Sequence, residues 1–82
     1  MFHKIKNVYP KDNMIIEVDF DNKVKKEYDI KTILNKWIIF KKLEDEELFK
    51  KVKVDVGGYG VSWNENIDLS CEELWKNGKD VK

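Results

Sequence analysis

The 82-residue chain lacks arginine, and all 16 of its basic residues are lysine. Arginine is the side chain that grips phosphate and reads guanine through a bidentate fork. The 16 acidic residues balance the lysines, so the chain has no domain-wide positive charge that would attract nucleic acid. Together these two features argue against a sequence-specific DNA reader.

Cysteine, histidine and proline occur once each, as Cys71, His3 and Pro10. A single cysteine excludes an internal disulfide and any multi-cysteine zinc site, and it fits a reducing compartment. The first ten residues, MFHKIKNVYP, contain no apolar signal core. No apolar run approaches the roughly 20 residues that a membrane span requires. We therefore expect a cytoplasmic protein that has no cofactor and no membrane association.

What the chain does have is an alternating apolar pattern typical of half-buried strands. It predicts strands over residues 2–9, 14–20, 24–30, 52–56 and 60–64, with turns at YPKDN, DNK and GGY. Asp29 is expected to cap a helix over residues 30–37, and EDEELFKKV is expected to form a helical turn or two. Residues 37–40, WIIF, fit either a helix or a short strand. The length predicts one α+β domain, residues 1–82, with the order β-β-β-α-(α)-β-β-α. Its small antiparallel sheet would have helices packed on one side.

The most distinctive stretch, GYGVSWNENIDLSCEELWKNG over residues 58–78, has a structural interpretation throughout. The glycines serve a tight turn, and NENIDLS is expected to bridge a strand to the last helix. Ser70 and Glu73 match the S-x-x-E capping box, which satisfies amides at a helix N-terminus. Leu74 and Trp75 would dock that helix, and Gly78 would end it.

The order VDFDNKVKKEYDI…F…VKVDVGGYGVSWNENIDLSCEELWKNG resembles a bacterial family known as domain of unknown function 2442. The resemblance covers roughly residues 3–78. The positions that match the family pattern in order are Phe20, Tyr28, Asp29, Phe49, Val54, Asp55, Trp63, Asp68, Leu69 and Leu74. The chain departs from the pattern in two places: the pair Asn22-Lys23 and the single residue Asn66 stand where the family usually has glycine. Asparagine tolerates left-handed geometry, so we expect the fold to survive both changes.

The resemblance implies a small α+β domain of bacterial or mobile-element origin. Members of the family often sit beside a partner gene in toxin–antitoxin-like pairs. Some relatives continue into a helix-turn-helix DNA-binding domain. The present chain reaches Lys82 before any such domain, so we do not expect that DNA-binding role to transfer.

Three kinds of chemistry compete with structural roles for the same residues, and the first is nucleophilic. Cys71 at a helix N-terminus would be a nucleophile if His3 served as its base and Asp68 oriented that base. The adjacent Glu72 and Glu73 oppose formation of the thiolate, which favours a small structural residue.

The other two kinds are metal binding and phosphate binding. The carboxylates of Asp55, Asp68, Glu72 and Glu73 are the ligands a hard cation takes. No calcium-loop spacing accompanies them, and we expect Asp68 to be a turn residue that bonds backbone amides. GGYG lacks the further residues of a phosphate-binding loop. We therefore expect a protein that is not an enzyme.

Two surface features remain as candidate binding sites. Lysines concentrate in the middle of the chain, at residues 23, 25, 26, 41, 42, 50, 51 and 53, and would offer phosphate contacts beside Trp37 and Phe40. The neighbouring EDEE opposes this use. The three tryptophans and three tyrosines exceed what a small core needs, and such residues are favoured interface anchors.

We therefore predict a protein-interaction module, either toxin–antitoxin-like or a regulatory accessory. Its partner is another protein, or a second copy of this chain. The predicted partner-binding residues are Trp37, Ile38, Tyr59, Lys25 and Lys50. Edge strands of the sheet would also be available for pairing with a partner. The alternative is a nucleic-acid-associated accessory protein that uses the lysine-rich surface.

Overall fold

The centre of the fold is strand β2 (Ile15–Phe20), whose alternating sequence places Ile16, Val18 and Phe20 inside. The structure is a computed structural model and describes residues 3–81. Strands β1 (Ile5–Lys11) and β3 (Lys25–Asp29) pair antiparallel with β2 on either side. Strand β7 (Lys79–Asp80) pairs antiparallel with the other side of β3, which gives a four-stranded sheet in the order β1-β2-β3-β7.

The first strand and its turn differ from the prediction. Strand β1 begins at Ile5, and residue 2 of the predicted strand lies outside the described residues. The strand continues through Pro10, which the edge of a sheet tolerates because the missing N–H faces no partner. The turn therefore falls later, on Asp12–Met14, where Asn13 and Met14 both have positive φ.

A second antiparallel sheet contains β4 (Lys53–Val54), β5 (Gly60–Asn64) and β6 (Ile67–Ser70), in the order β4-β5-β6. Two strand predictions were wrong here. Residues 52–56 form only a two-residue strand, because Val56 enters a turn and is 97% exposed. Residues 60–64 are not the last strand, since Ile67–Ser70 returns as β6 and β7 comes later.

Side-chain caps act at the ends of the predicted helices. Asp29 accepts a hydrogen bond from the Lys31 amide at 2.9 Å, but the segment it caps is a 3-10 helix that ends at Ile33. The helix expected over residues 30–37 is therefore too long. Residues 37–40 prove helical after an extended Trp37, in a 3-10 helix over Ile38–Glu44. A single α-helical turn, α1 (Glu46–Phe49), follows as predicted.

Helix α2 (Cys71–Asn77) forms where the sequence indicates. The Ser70 hydroxyl accepts from the Glu73 amide at 3.1 Å, which is one half of the capping box. Gly78 ends the helix with a negative φ of −75°. Glycine is needed there for space, because a Cβ at Gly78 would lie 2.5 Å from the Leu74 carbonyl oxygen.

One apolar core lies between the two sheets and helix α2, and the α+β prediction is confirmed. The chain forms two antiparallel sheets rather than one small sheet. The radius of gyration is 11.6 Å. The longest α-helix among residues 3–81 has seven residues, and no helix there has the length and apolar character to cross a membrane. The buried apolar side chains are Ile5, Ile16, Val18, Phe20, Tyr28, Ile30, Ile33, Phe40, Leu43, Phe49, Val61, Trp63, Ile67, Leu69, Cys71 and Leu74.

Candidate functional site

An open groove of about 470 Å³ runs between the second sheet and the segment that follows the 3-10 helix Ile30–Ile33. Strand β6 and the start of α2 form one wall, and residues 37–40 form the other. The groove is open along one side, so a ligand bound in it would keep one face in solvent. Its lining residues are Trp37, Ile39, Phe40, Asn66, Asp68, Leu69, Ser70 and Glu73.

The wall formed by residues 37–40 is held in place by the backbone and by Phe40. The Trp37 amide donates to the Ile33 carbonyl at 3.0 Å, and the Phe40 amide donates to the Trp37 carbonyl at 3.0 Å. The Phe40 ring is buried and meets Trp63 edge to face at 6.2 Å. Trp37 lies 6.0 Å from Phe40 and is 39% exposed. A large aromatic side chain is thus presented to solvent on a well-anchored turn.

The opposite wall is an edge strand. Strand β6 pairs with β5 on one side and has no strand on its other side among residues 3–81. Ile67 and Leu69 point into the core, whereas Asp68 and Ser70 are exposed. The strand is short but well defined, because the Asn64 carboxamide oxygen accepts from the Asn66 and Ile67 amides at 2.8 and 3.0 Å and fixes the preceding turn.

A hydrogen-bonded carboxylate closes one end of the groove. The Tyr28 hydroxyl donates to Glu73 Oε2 at 2.7 Å, and Asn77 Nδ2 donates to the same oxygen at 2.8 Å. Burial raises the pKa of Tyr28 above its usual range, and the hydrogen bond and charge of Glu73 raise it further. Tyr28 therefore remains a donor at neutral pH and holds the Glu73 carboxylate in position.

The five predicted partner-binding residues lie on different parts of the surface. Trp37, Ile38 and Tyr59 are exposed by 39%, 73% and 50%, as expected, but only Trp37 lines the groove. The Tyr59 ring lies 5.4 Å from Lys4 Nζ, at the turn before β5. Lys25 is on β3 and Lys50 follows α1, and both are exposed. Trp37 and Ile38 are neighbours in the chain, and the other three residues lie on separate elements.

The lysine-rich middle is divided among several elements. Lys23 and Lys25 share a depression with Lys6, and this depression also contains Asp19 and Asp21. Lys41 and Lys42 belong to the 3-10 helix Ile38–Glu44, whereas Lys50 and Lys51 follow α1. Lys26 is already engaged, since its Nζ pairs with Asp80 at 2.9 Å and lies 4.7 Å from the Trp75 ring centroid.

The three residues of the thiol hypothesis have other roles in the structure. Cys71 is 2% exposed, and its amide donates to the Tyr59 carbonyl at 2.8 Å. The His3 ring stacks on Trp75 with centroids 3.7 Å apart. The prediction that Asp68 lies in a turn was wrong, because Asp68 lies within β6 and its side chain faces solvent.

The acidic residues that resembled cation ligands are also separated. Asp55 Oδ1 accepts from the Ser62 hydroxyl at 2.6 Å, so this carboxylate bonds a side chain of β5. Within residues 3–81, no three His, Cys, Asp or Glu side chains come close enough together to hold a metal ion.

The sequence analysis did not predict strand β6, and it did not predict which residues have left-handed backbone geometry. NENIDLS was expected to be a bridge, yet Ile67–Ser70 alternates buried and exposed residues as a strand does, and that pattern was the available signal. Left-handed geometry was expected at Asn66 and is not found there. In the described chain, positive φ at non-glycine residues occurs at Asn13, Met14 and Lys23.

The fold and the groove define a small two-sheet α+β protein with an open edge strand. The chain belongs to the family described as protein of unknown function (DUF2442), whose model matches residues 5–80. The resemblance noted in the sequence is thereby confirmed. No curated protein and no solved structure matches the chain.

Proposed function

We propose that this protein is a non-enzymatic interaction module that binds another protein in the groove between Trp37 and β6. The observation that carries the proposal is the position of an exposed tryptophan opposite an unpaired strand edge. Tryptophan is the residue most enriched at binding hot spots, where it fills a desolvated pocket on the partner. An open strand edge supplies backbone hydrogen bonds to an added strand.

The wall that carries Trp37 supports this role because it is already ordered. Ordering a flexible side chain or loop on binding costs affinity, so a pre-formed aromatic anchor binds more tightly than a mobile one. The backbone bonds of Trp37 and the buried Phe40 ring provide that order. The groove therefore combines the Trp37 anchor, an apolar wall and the free edge of β6.

We further propose that the protein acts as a regulatory or antitoxin-like accessory in the cytoplasm. The support is the paired-gene arrangement that the family resemblance implies. The product of an adjacent gene is accordingly the first partner to test. This proposal requires a stoichiometric complex and no turnover of a substrate.

Capture from the source cells tests the proposed function. The tagged protein is purified with and without nuclease, and bound proteins are quantified by mass spectrometry. A Trp37→Ser variant is compared with Tyr9→Ser, a matched control in which an aromatic residue of similar exposure, 42% against 39%, lies outside the groove. Circular dichroism establishes that both variants are folded.

We expect one protein to survive nuclease treatment, to bind Tyr9→Ser normally and to be lost from Trp37→Ser. Truncating a hot-spot residue costs about 2 kcal/mol or more, which lowers affinity at least about 30-fold. Equal capture by the two variants would refute the groove as the binding surface. Loss of every bound protein on nuclease treatment, with salt-sensitive retention on DNA or RNA, would instead favour the lysine-rich surface.

A further inference from the structure

We propose that the ligand of the groove is an extended, lysine- or arginine-bearing segment of a different protein, which adds to the free edge of β6 as a fourth strand. This inference rests on the proposed function and specifies the chemistry of the partner at the same site. It is carried by the backbone geometry of β6, by the charges of the groove and by the apolar wall opposite.

The backbone of β6 has groups available for an added strand. In an antiparallel pair, alternate residues direct their N–H and C=O groups toward the partner strand. The Cys71 amide donates to the Tyr59 carbonyl at 2.8 Å, so Cys71 directs its N–H toward the chain that leads into β5. Leu69 precedes Cys71 by two residues and pairs with Val61, so the N–H and C=O of Leu69 also face β5. The Asp68 and Ser70 amides consequently face the other way, toward the open side.

The charges of the groove select a basic segment. Among the described residues that line it, only Asp68 and Glu73 are charged, and both lie on the β6–α2 wall. Residues 64–75 contain four acids and no lysine. Lys36, whose Nζ lies 4.5 Å from the Trp37 ring centroid, is on the opposite wall, so its positive charge is on the side of the groove away from β6. The charges nearest to a strand added to β6 are therefore the negative charges of Asp68 and Glu73.

The same charges disfavour a second copy of this chain. Two β6 strands paired edge to edge would bring the Asp68 side chains of both copies together, and like charges on neighbouring strands are destabilising. They would also bring together the acids that flank β6. A heterologous segment carrying positive charge removes this repulsion and gains attraction instead.

The length of β6 and the apolar wall opposite it define the length and sequence pattern of the segment. Strand β6 has four residues and spans about 13 Å at the usual rise per strand residue, so a segment of about four to six residues fits beside it. Trp37, Ile39 and Phe40 give the opposite wall an apolar surface. The segment should therefore alternate basic residues with apolar residues, one set meeting the acids and the other meeting Trp37.

Three synthetic peptides test the inference against the purified full chain. The first is a capped seven-residue peptide of alternating lysine and valine, and the second replaces each lysine by glutamate. The third keeps lysine and valine but has all central amides N-methylated, which preserves charge and removes the donors that pair with a strand. Binding is followed by NMR, through shifts and hydrogen exchange of the backbone amides.

We expect the lysine peptide to bind, and the glutamate and N-methylated peptides to bind at least about tenfold more weakly. With the lysine peptide at ten times its dissociation constant, exchange of the Asp68 and Ser70 amides should slow about tenfold. Asp68→Lys should weaken binding about fivefold or more. The matched control Glu27→Lys reverses an exposed charge on β3, outside the groove, and should bind normally.

Each other outcome overturns the inference. Binding of the N-methylated peptide as tightly as its parent would exclude strand addition. Equal binding of the glutamate peptide would exclude selection by charge, and dimerisation through β6 in place of peptide binding would make a second copy the occupant. Absence of lysine-peptide binding at about 2 mM, a concentration that detects even millimolar affinity, would also refute it. The proposed function would still stand in that case if capture from cells depended on Trp37.

Discussion

Lys23 is the residue whose replacement tests the local account of the fold most sharply. It closes the β2–β3 hairpin with a φ of 73°, in the left-handed region that favours glycine. Its amide donates to the Phe20 carbonyl at 3.1 Å, and the Phe20 amide donates to the Val24 carbonyl at 2.9 Å. These bonds define a three-residue loop whose last residue is left-handed.

The expected gain from Lys23→Gly is the difference between two terms. A left-handed conformation costs a non-glycine residue about 1 to 2 kcal/mol. Glycine makes the unfolded chain more flexible, which costs about 0.4 to 1 kcal/mol. The mid-range values of the two terms, about 1.5 and about 0.7 kcal/mol, leave the variant more stable by about 0.8 kcal/mol. For a chain of this size the melting temperature should then rise by roughly 3 to 6 °C.

Urea unfolding followed by tryptophan fluorescence measures this change, as a shift of the midpoint at constant slope. Lys25→Gly is the matched control, because it removes the same side chain from β3, where the backbone is extended. Glycine within a strand should destabilise by about 0.5 to 1 kcal/mol. If Lys23→Gly is destabilised as much as Lys25→Gly, the left-handed strain assigned to Lys23 is wrong.

Three further predictions concern the buried groups. Tyr28→Phe should lose about 1.5 to 3 kcal/mol of unfolding free energy at pH 7, because Tyr28 donates to the charged Glu73. Since the folded-state pKa of Tyr28 is raised, this contribution is complete below about pH 10. It should decline as the pH rises further, and an unchanged difference between wild type and variant at higher pH would contradict it. Cys71, at 2% exposure, should react with a thiol reagent only at the rate of unfolding, and fast labelling of the folded chain would reopen the thiol hypothesis. Gly58→Ala should destabilise by at least about 2 kcal/mol in urea unfolding, because φ is 78° and the new Cβ would lie 2.6 Å from the Ile5 carbonyl oxygen. A wild-type midpoint would contradict that.

Elements set by local signals could be predicted from the sequence. The alternation of Ile16, Val18 and Phe20 specifies β2 within one residue of its observed start. Asp29 and Ser70 both cap the segments they were expected to cap, because a short acceptor side chain reaches an amide two or three residues ahead. Such contacts depend on a few adjacent residues, so they are visible in the chain.

Elements set by distant contacts could not be predicted in the same way. Residues 67–70 lie between turn-forming asparagines and a helix cap, and they become a strand because β5 is present to pair with them. Trp37 was expected to be the last residue of a helix over residues 30–37. It is exposed because the 3-10 helix ends at Ile33 and the backbone at Trp37 is extended.

The candidate site could be predicted only in part for the same reason. Trp37 was identified from its residue type, since aromatic side chains in excess of the core favour an interface. Its counterpart Asp68 was expected in a turn, because only the fold brings β6 opposite residues 37–40. Lys25 and Lys50, chosen for charge, lie on elements that contribute no residue to the groove.

Site-specific photocrosslinking in the source cells tests the central claim most directly. A photoreactive phenylalanine derivative replaces Trp37 in the groove or, as the matched control, Tyr9 on the exposed face of β1. The account predicts one crosslinked protein from position 37, insensitive to nuclease, and none from position 9. Crosslinks from position 9 alone, or from neither position while the partner is still captured, would contradict the claim that the groove binds it.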